Sequence, residues 1–460
     1  MISKLHAANA LAEALKTGGD FAELFFQDQT SQTISLRDGS VEDAVTQRIH
    51  GAGMRVFRGL SCVYVYSCDT TPSGLIALAK RAADAIGGTP QDIKVDLVGR
   101  HIRNIHEIKA LPMDIPGTRK ANMLRGACLA AKNGAKDIAH AYASLSAVQG
   151  EVQIFNSEGL ATGDMRVRTR LSVSAVASNG AENQTGYEAP GASMGYELFE
   201  TRVDAEKCAL EAAKVASTML SAGNCPAGRM PVVMDGGFGG VVFHEACGHS
   251  LEATSVAFGT SEFCGKMGSQ IANPRVTAID DGTMPNEWGS TNIDDEGMET
   301  TRLVLIENGI LKNYMIDKLN ARRMNADPTG SGRRQDYRFA PTSRMRNTFI
   351  APGTDDENEM IAEIDCGLYA KKMGGGSVNP ATGEFNFAVA EGYMIRDGKI
   401  AEPVRGATLI GKGAEVLMNI DRVGPRMWMS QGMCGSSSGS IPTNVGQPRI
   451  RISEITVGGR

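Results

Sequence analysis

The segment richest in chemistry is Val241-Val242-Phe243-His244-Glu245-Ala246-Cys247-Gly248-His249-Ser250-Leu251-Glu252. The chain has seven histidines, and the only two beyond residue 226 are His244 and His249. A glutamate adjoins the first. Two imidazoles and a carboxylate are the parts of a zinc hydrolase. Zinc takes neutral nitrogen ligands and keeps one position open for water. The carboxylate must stand near that water without occupying the metal, so that it can move a proton. Glu245 fills that description.

The spacing sets a geometric condition. In H-E-x-x-H the histidines lie four apart, about 40° around an α-helix of 3.6 residues per turn. Here they lie five apart, roughly 140° around such a helix, too far to share one ion. A π-turn, or a helix that ends or kinks at Gly248, brings them together. The spacing therefore predicts a non-ideal helix between Glu245 and Ser250.

A catalytic zinc usually has three protein ligands, and no third histidine follows residue 226. A cysteine, a carboxylate or a histidine from elsewhere must serve. Cys434, in Gln431-Gly432-Met433-Cys434-Gly435-Ser436, is the first candidate, because its neighbouring glycines permit close backbone approach. Cys247, at i+3 from His244, reads more readily as core. Glu252, three residues after His249, suits a ligand or a group that orients a histidine. The other seven cysteines are expected to pack. Thr329-Gly330-Ser331-Gly332-Arg333-Arg334 is fit to cradle an anion or a peptide carboxylate. Arg333 and Arg334 are thus secondary candidates for substrate binding, although a solvated basic loop has the same look.

These groups need a scaffold. A chain of 460 residues predicts two or three domains. Residues 1–110 read as helix, strands and helix, with strands near 22–27, 32–36, 41–48, 51–57 and 61–68 and a helix over 75–86. Residues 115–222 repeat that plan, with helices at 122–133 and 205–220 around strands near 138–148, 152–156, 161–174 and 176–187. Residues 226–460 hold most of the glycine clusters and the hairpin signals Asn308-Gly309 and Asp397-Gly398. The fold class is α+β: a duplicated N-terminal unit, then a large antiparallel β-rich metal-binding domain.

Composition narrows the function classes. A net charge of −5, with no lysine-rich tail, argues against direct nucleic-acid binding. No run approaches the roughly 18 apolar residues of a membrane helix, and the N-terminus lacks an apolar signal core, so a cytoplasmic protein is expected. The 54 glycines, about 12% against an average near 7%, point to many turns and close backbone approaches.

Beyond these separate features, the chain resembles the TldD/PmbA family of metallopeptidases, also described as modulators of DNA gyrase. The resemblance is carried by HEACGHSLEA at 244–253, IDDEG at 293–297, IENGILKNYMIDKLNARRM at 306–324, PTGSGRR at 328–334, GATLIGKG at 406–413 and VGQPRIRI at 445–452. It implies Zn2+ held by His244, His249 and Cys434, with Glu245 as general base of a peptidase. One departure stands after Cys434-Gly435, where Ser436 takes a place often held by lysine. The family includes catalytic members and paralogues lacking the metal motif, which implies a homodimer or a heterodimer with a paralogue. This chain is similar to the catalytic kind. The expected substrate is an extended peptide or unfolded polypeptide, bound by strand addition to a β edge. The rival reading is a non-catalytic, zinc-containing interaction protein that modulates a partner such as DNA gyrase. That reading needs a closed site, with Cys247 or Glu252 as fourth ligand.

Overall fold

The computed structural model describes residues 1–379 and 382–459. The chain opens with a helix, Lys4–Leu15, whose first turn is capped by the Ser3 hydroxyl accepting from the His6 N–H. Thr71 caps the helix Pro72–Ile86 in the same way, with proline in its first turn where no N–H is needed. Between them run two long strands, Phe21–Arg37 and Ser40–Arg58, and a short one, Ser61–Ser67. Asp38 and Gly39, both at positive φ, make the turn between the long pair. The sequence pattern breaks each long strand in two because mid-strand residues such as Asp28-Gln29-Thr30 are polar and half-exposed. Backbone pairing on both sides of Phe21–Arg37 holds the strand where side-chain alternation lapses.

The second stretch supplies helices Gly117–Gly134 and Ala205–Ser221 and strands Ile138–Asn156, Leu160–Ser178 and Asn183–Glu188. It does not form a separate body. Phe21–Arg37 pairs antiparallel with Ile138–Asn156, from Glu23 opposite Asn156 to Arg37 opposite Tyr142. One sheet thus runs through both stretches, and each pair of helices covers its own apolar cluster.

From Gly228 onward the chain builds two further large sheets. One contains Gly228–Met234, Cys366–Asn379, Glu384–Arg396, Thr408–Lys412 and Ile450–Gly458. The other ends in Asn347–Ile350, Gly439–Gln447 and Trp428–Ser436. Most pairings are antiparallel. Gly228–Met234 with Cys366–Asn379, and Asn347–Ile350 with Gly439–Gln447, are parallel, so parallel pairs stand within the mainly antiparallel β-rich domain that was expected. Both sheets share one core, and Val241, Val242, Phe243, Ala246 and Cys247 lie in it. The histidine-bearing segment is therefore gripped by the largest apolar cluster of the molecule.

A buried ionic junction ties the N-terminal sheet to this domain. Arg55 bonds Glu23 at 2.6 Å and Glu296 at 2.7 Å. Arg334 bonds Glu23 at 2.6 Å, and Arg166 bonds Asp295 at 2.6 Å. Among the described residues, no helix is long and apolar enough to cross a membrane.

Candidate metal centre

The site segment changes pitch along its length. A tight turn at Gly237–Gly240 leads into Val241–Phe243, then a π-turn over His244–Gly248, then a 3₁₀ turn over His249–Leu251. The His249 N–H donates to the His244 carbonyl five residues back. This widened turn is the distortion that the five-residue spacing requires, and it sets the two rings edge-to-face with centroids 5.1 Å apart. Gly240 anchors the segment: a Cβ there would stand 2.5 Å from the backbone nitrogen of Gly446.

Gly446 lies on Gly439–Gln447, and the partner of that strand, Trp428–Ser436, carries Cys434. The Cys434 Sγ is 3.4 Å from His244 Nε2 and 3.3 Å from His249 Nε2. All three donor atoms lie within 4.8 Å of one another. Zinc bonds of 2.0–2.1 Å to nitrogen and 2.3 Å to sulfur, arranged as a tetrahedron, put ligands about 3.3–3.6 Å apart. The donor set and its spacing therefore fit a tetrahedral ion with a position to spare.

Electrostatics favour the same use. Burial, reinforced by His249 and Arg344, pushes His244 well below the ordinary histidine range, so its ring is the neutral form a metal binds. Burial also opposes charge on His249, but the Glu252 carboxylate and Cys434 beside it hold its pKa well above the ordinary value. Ligation by His249 therefore means exchanging that proton for the metal, with the same neighbours balancing the metal's charge. Glu252 is buried, and its Oε2 sits 3.0 Å from His249 Nδ1, the ring nitrogen turned away from Cys434. That placement suits a carboxylate that orients the ring, as outer-shell carboxylates do. Glu245 lies on the other side, with its Oε2 3.6 Å from His249 Nε2. Its side chain is 28% exposed, which leaves it within reach of solvent and substrate. Burial raises its pKa.

Other candidates fall elsewhere. Cys247 joins the apolar core and is not among the clustered donors. Arg333 and Arg334 do not form an open cradle, because both are buried and committed to the chain itself. Arg333 donates to the Met345 and Pro442 carbonyls, and Arg334 to Glu23, Tyr64 and the Asp295 carbonyl. Their Nη donors are used within the chain, so the basic stretch is a structural joint. Of the remaining cysteines, Cys62, Cys68, Cys264 and Cys366 are exposed where packing was expected. The sequence gives no sign of Arg344. It donates to the Cys434 carbonyl at 2.5 Å, and a buried arginine reads in sequence like an exposed one.

Known proteins resemble this chain along most of its length. Family models match for PmbA/TldA metallopeptidase domain 1 over residues 22–86, the central domain over 111–220 and the C-terminal domain over 227–459. A Haemophilus influenzae protein named metalloprotease TldD homolog is 36% identical over 452 residues, covering 96% of this chain and 93% of that one. A Saccharolobus solfataricus protein named zinc metalloprotease TldD homolog is 30% identical over 313 residues, 67% of this chain and 70% of that one. Among solved structures, a Thermotoga maritima protein superposes with a TM-score of 0.80 at 21% identity over 99% of this chain and 100% of that one. TldE from Thermococcus kodakarensis gives 0.78 at 18% identity over 99% and 100%. Kinship along nearly the full length, on a shared fold, places this chain in the PmbA/TldD metallopeptidase family.

Proposed function

We propose that the protein is a zinc-dependent peptidase that hydrolyses extended peptides or unfolded polypeptides at the His244–His249–Cys434 centre. One observation carries this reading: Glu245 stands beside the ligand set without belonging to it, while Cys247 and Glu252, the residues able to close the site, are turned to other tasks. Such an arrangement suits catalysis better than a closed structural site.

When bound, zinc supplies Lewis acidity toward a water and a scissile carbonyl. His244 and His249 present Nε2, and Glu252 keeps the His249 ring turned by accepting from Nδ1–H. Glu245 Oε2 takes the proton of the attacking water and returns it to the nitrogen of the leaving amine. The burial that raises its pKa makes it a stronger base than an exposed carboxylate. His244 and Cys434 are buried, and the His249 side chain is only 13% exposed. The scissile bond must enter a recess, which an extended chain can do and a folded surface cannot. Strand addition along the Cys434 strand is not part of this reading. The Gln431, Gly432 and Cys434 carbonyls already accept from Arg170, Trp288 and Arg344.

The test is incubation of zinc-loaded protein with an unfolded polypeptide, followed by mass spectrometry of the products. Fragments are expected with the native chain and none with Glu245→Gln at equal zinc content. Zinc-loaded native protein that yields no fragments, or a Glu245→Gln chain that still yields them, overturns the assignment.

A further inference from the structure

We propose that Arg344 is the positioning residue that locks the metal ligands into one constellation, by clamping the Cys434 turn directly and His249 through Glu252. The proposal rests on the metal-centre reading above.

Arg344 is fully buried. Its Nη2 donates to the Cys434 carbonyl at 2.5 Å, and its Nη1 donates to Ser438 Oγ at 2.9 Å and the Gly439 carbonyl at 3.0 Å. These acceptors span the turn that joins the Cys434 strand to its partner, so the planar fork fixes where the thiol points. On its other edge, Nε lies 3.9 Å from Glu252 Oε1, and Glu252 Oε2 holds His249 Nδ1. The next residue continues the contact. The Met345 N–H donates to Glu252 Oε1 at 3.3 Å, and the Met345 side chain fills the space left by Gly248, where a Cβ would come within 2.3 Å of its sulfur. Residues 344–345 therefore touch the cysteine arm, the orienting carboxylate and the π-turn at once.

Burying a guanidinium is costly unless its donors are used, and an apolar side chain of similar volume fills such a space without that cost. Arg346, two residues on, is equally buried but has its own carboxylate, with Nε 2.8 Å from Asp280. Arg344 spends its Nη donors on the cysteine turn instead. No lysine reproduces this fork, because an ammonium is a single point on a flexible stem.

The experiment compares native protein, Arg344→Lys and, as a control for buried charge, Arg346→Lys. Zinc affinity is measured by competition with a chromogenic chelator, and cysteine ligation by the thiolate-to-cobalt charge-transfer band of the Co2+-loaded chains. Arg344→Lys is expected to bind zinc roughly 10–100-fold more weakly, the usual effect of losing an outer-shell partner, and to lose intensity in the cobalt band. Arg346→Lys is expected to lower the melting temperature while keeping native affinity and band. Native affinity and band in Arg344→Lys overturn the proposal. If Arg344→Lys does not fold, Ser438→Ala, which removes one acceptor of the same fork, replaces it: weaker zinc binding supports the clamp, and unchanged binding overturns it. Native protein that binds no zinc overturns the metal centre itself, an outcome separate from a native centre indifferent to Arg344.

Discussion

Two glutamates flank the His249 ring on opposite nitrogens, and their positions assign them different tasks. Glu252 is buried against Nδ1, while Glu245 is partly open beside Nε2. Glu252→Gln is expected to weaken zinc binding by roughly 10–100-fold, read by chelator competition. Glu245→Gln is expected to leave zinc binding near native and to cut kcat by at least about 100-fold, the lower range for loss of a general base. If both substitutions reduce affinity equally, the division of labour is wrong. The sequence shows the histidines and Glu245 through their types and spacing. Cys434 stands out less, because a distant cysteine carries no period that links it to them; the motifs around it supply the link. Arg333 and Arg334 are misread, and Arg344 passes unnoticed, for one shared reason. Whether a guanidinium meets water or a carbonyl depends on tertiary contacts far along the chain, such as Arg334 with Glu23.

The π-turn is useful only because the elements on either side of it cannot drift. Gly240, at its entry, lies flat against Gly446 on the strand next to that of Cys434. This contact sets the distance between the histidine segment and the cysteine hairpin. Gly240→Ala forces a methyl against backbone, which is expected to cost roughly 1–3 kcal/mol of stability and to weaken zinc binding in parallel. Thermal melts with and without zinc measure both, and an unaltered melt counts against the contact. Helices were legible at this scale through the spacing of their apolar residues, as in Pro72–Ile86 and Ala205–Ser221. The distorted turn was legible too, since two ligands five residues apart leave few alternatives. Strand lengths were not. Ile138–Asn156 runs unbroken through Gln149-Gly150-Glu151, where neither face is fully buried and side-chain alternation fades.

Across the whole molecule, the junction between the N-terminal sheet and the metal-binding domain packs buried carboxyl groups against buried arginines. Arg55, Arg166 and Arg334 pair with Glu23, Asp295 and Glu296, while Asp294 accepts from the Gly332 N–H. Burial, only partly offset by Arg55, pushes Glu296 up to about 8. A carboxyl with a raised folded-state pKa binds more protons folded than unfolded. It therefore favours the folded state below its unfolded value near 4.5, and that contribution is lost as pH rises to about 8. The melting temperature is expected to decline across this window. Glu296→Gln, which stays neutral, is expected to flatten the decline. An identical slope in the variant removes Glu296 as its source.

The pairing of Phe21–Arg37 with Ile138–Asn156 has a consequence of its own. The covalent path between the two stretches passes through residues 87–116, where regular structure is sparse, whereas the physical bond between them is a full-length seam of backbone. Severing the polypeptide in that passage leaves the seam intact. Two co-produced fragments divided there should recognise each other and reassemble as a nicked, working body, while either fragment alone would offer a naked margin inviting promiscuous aggregation.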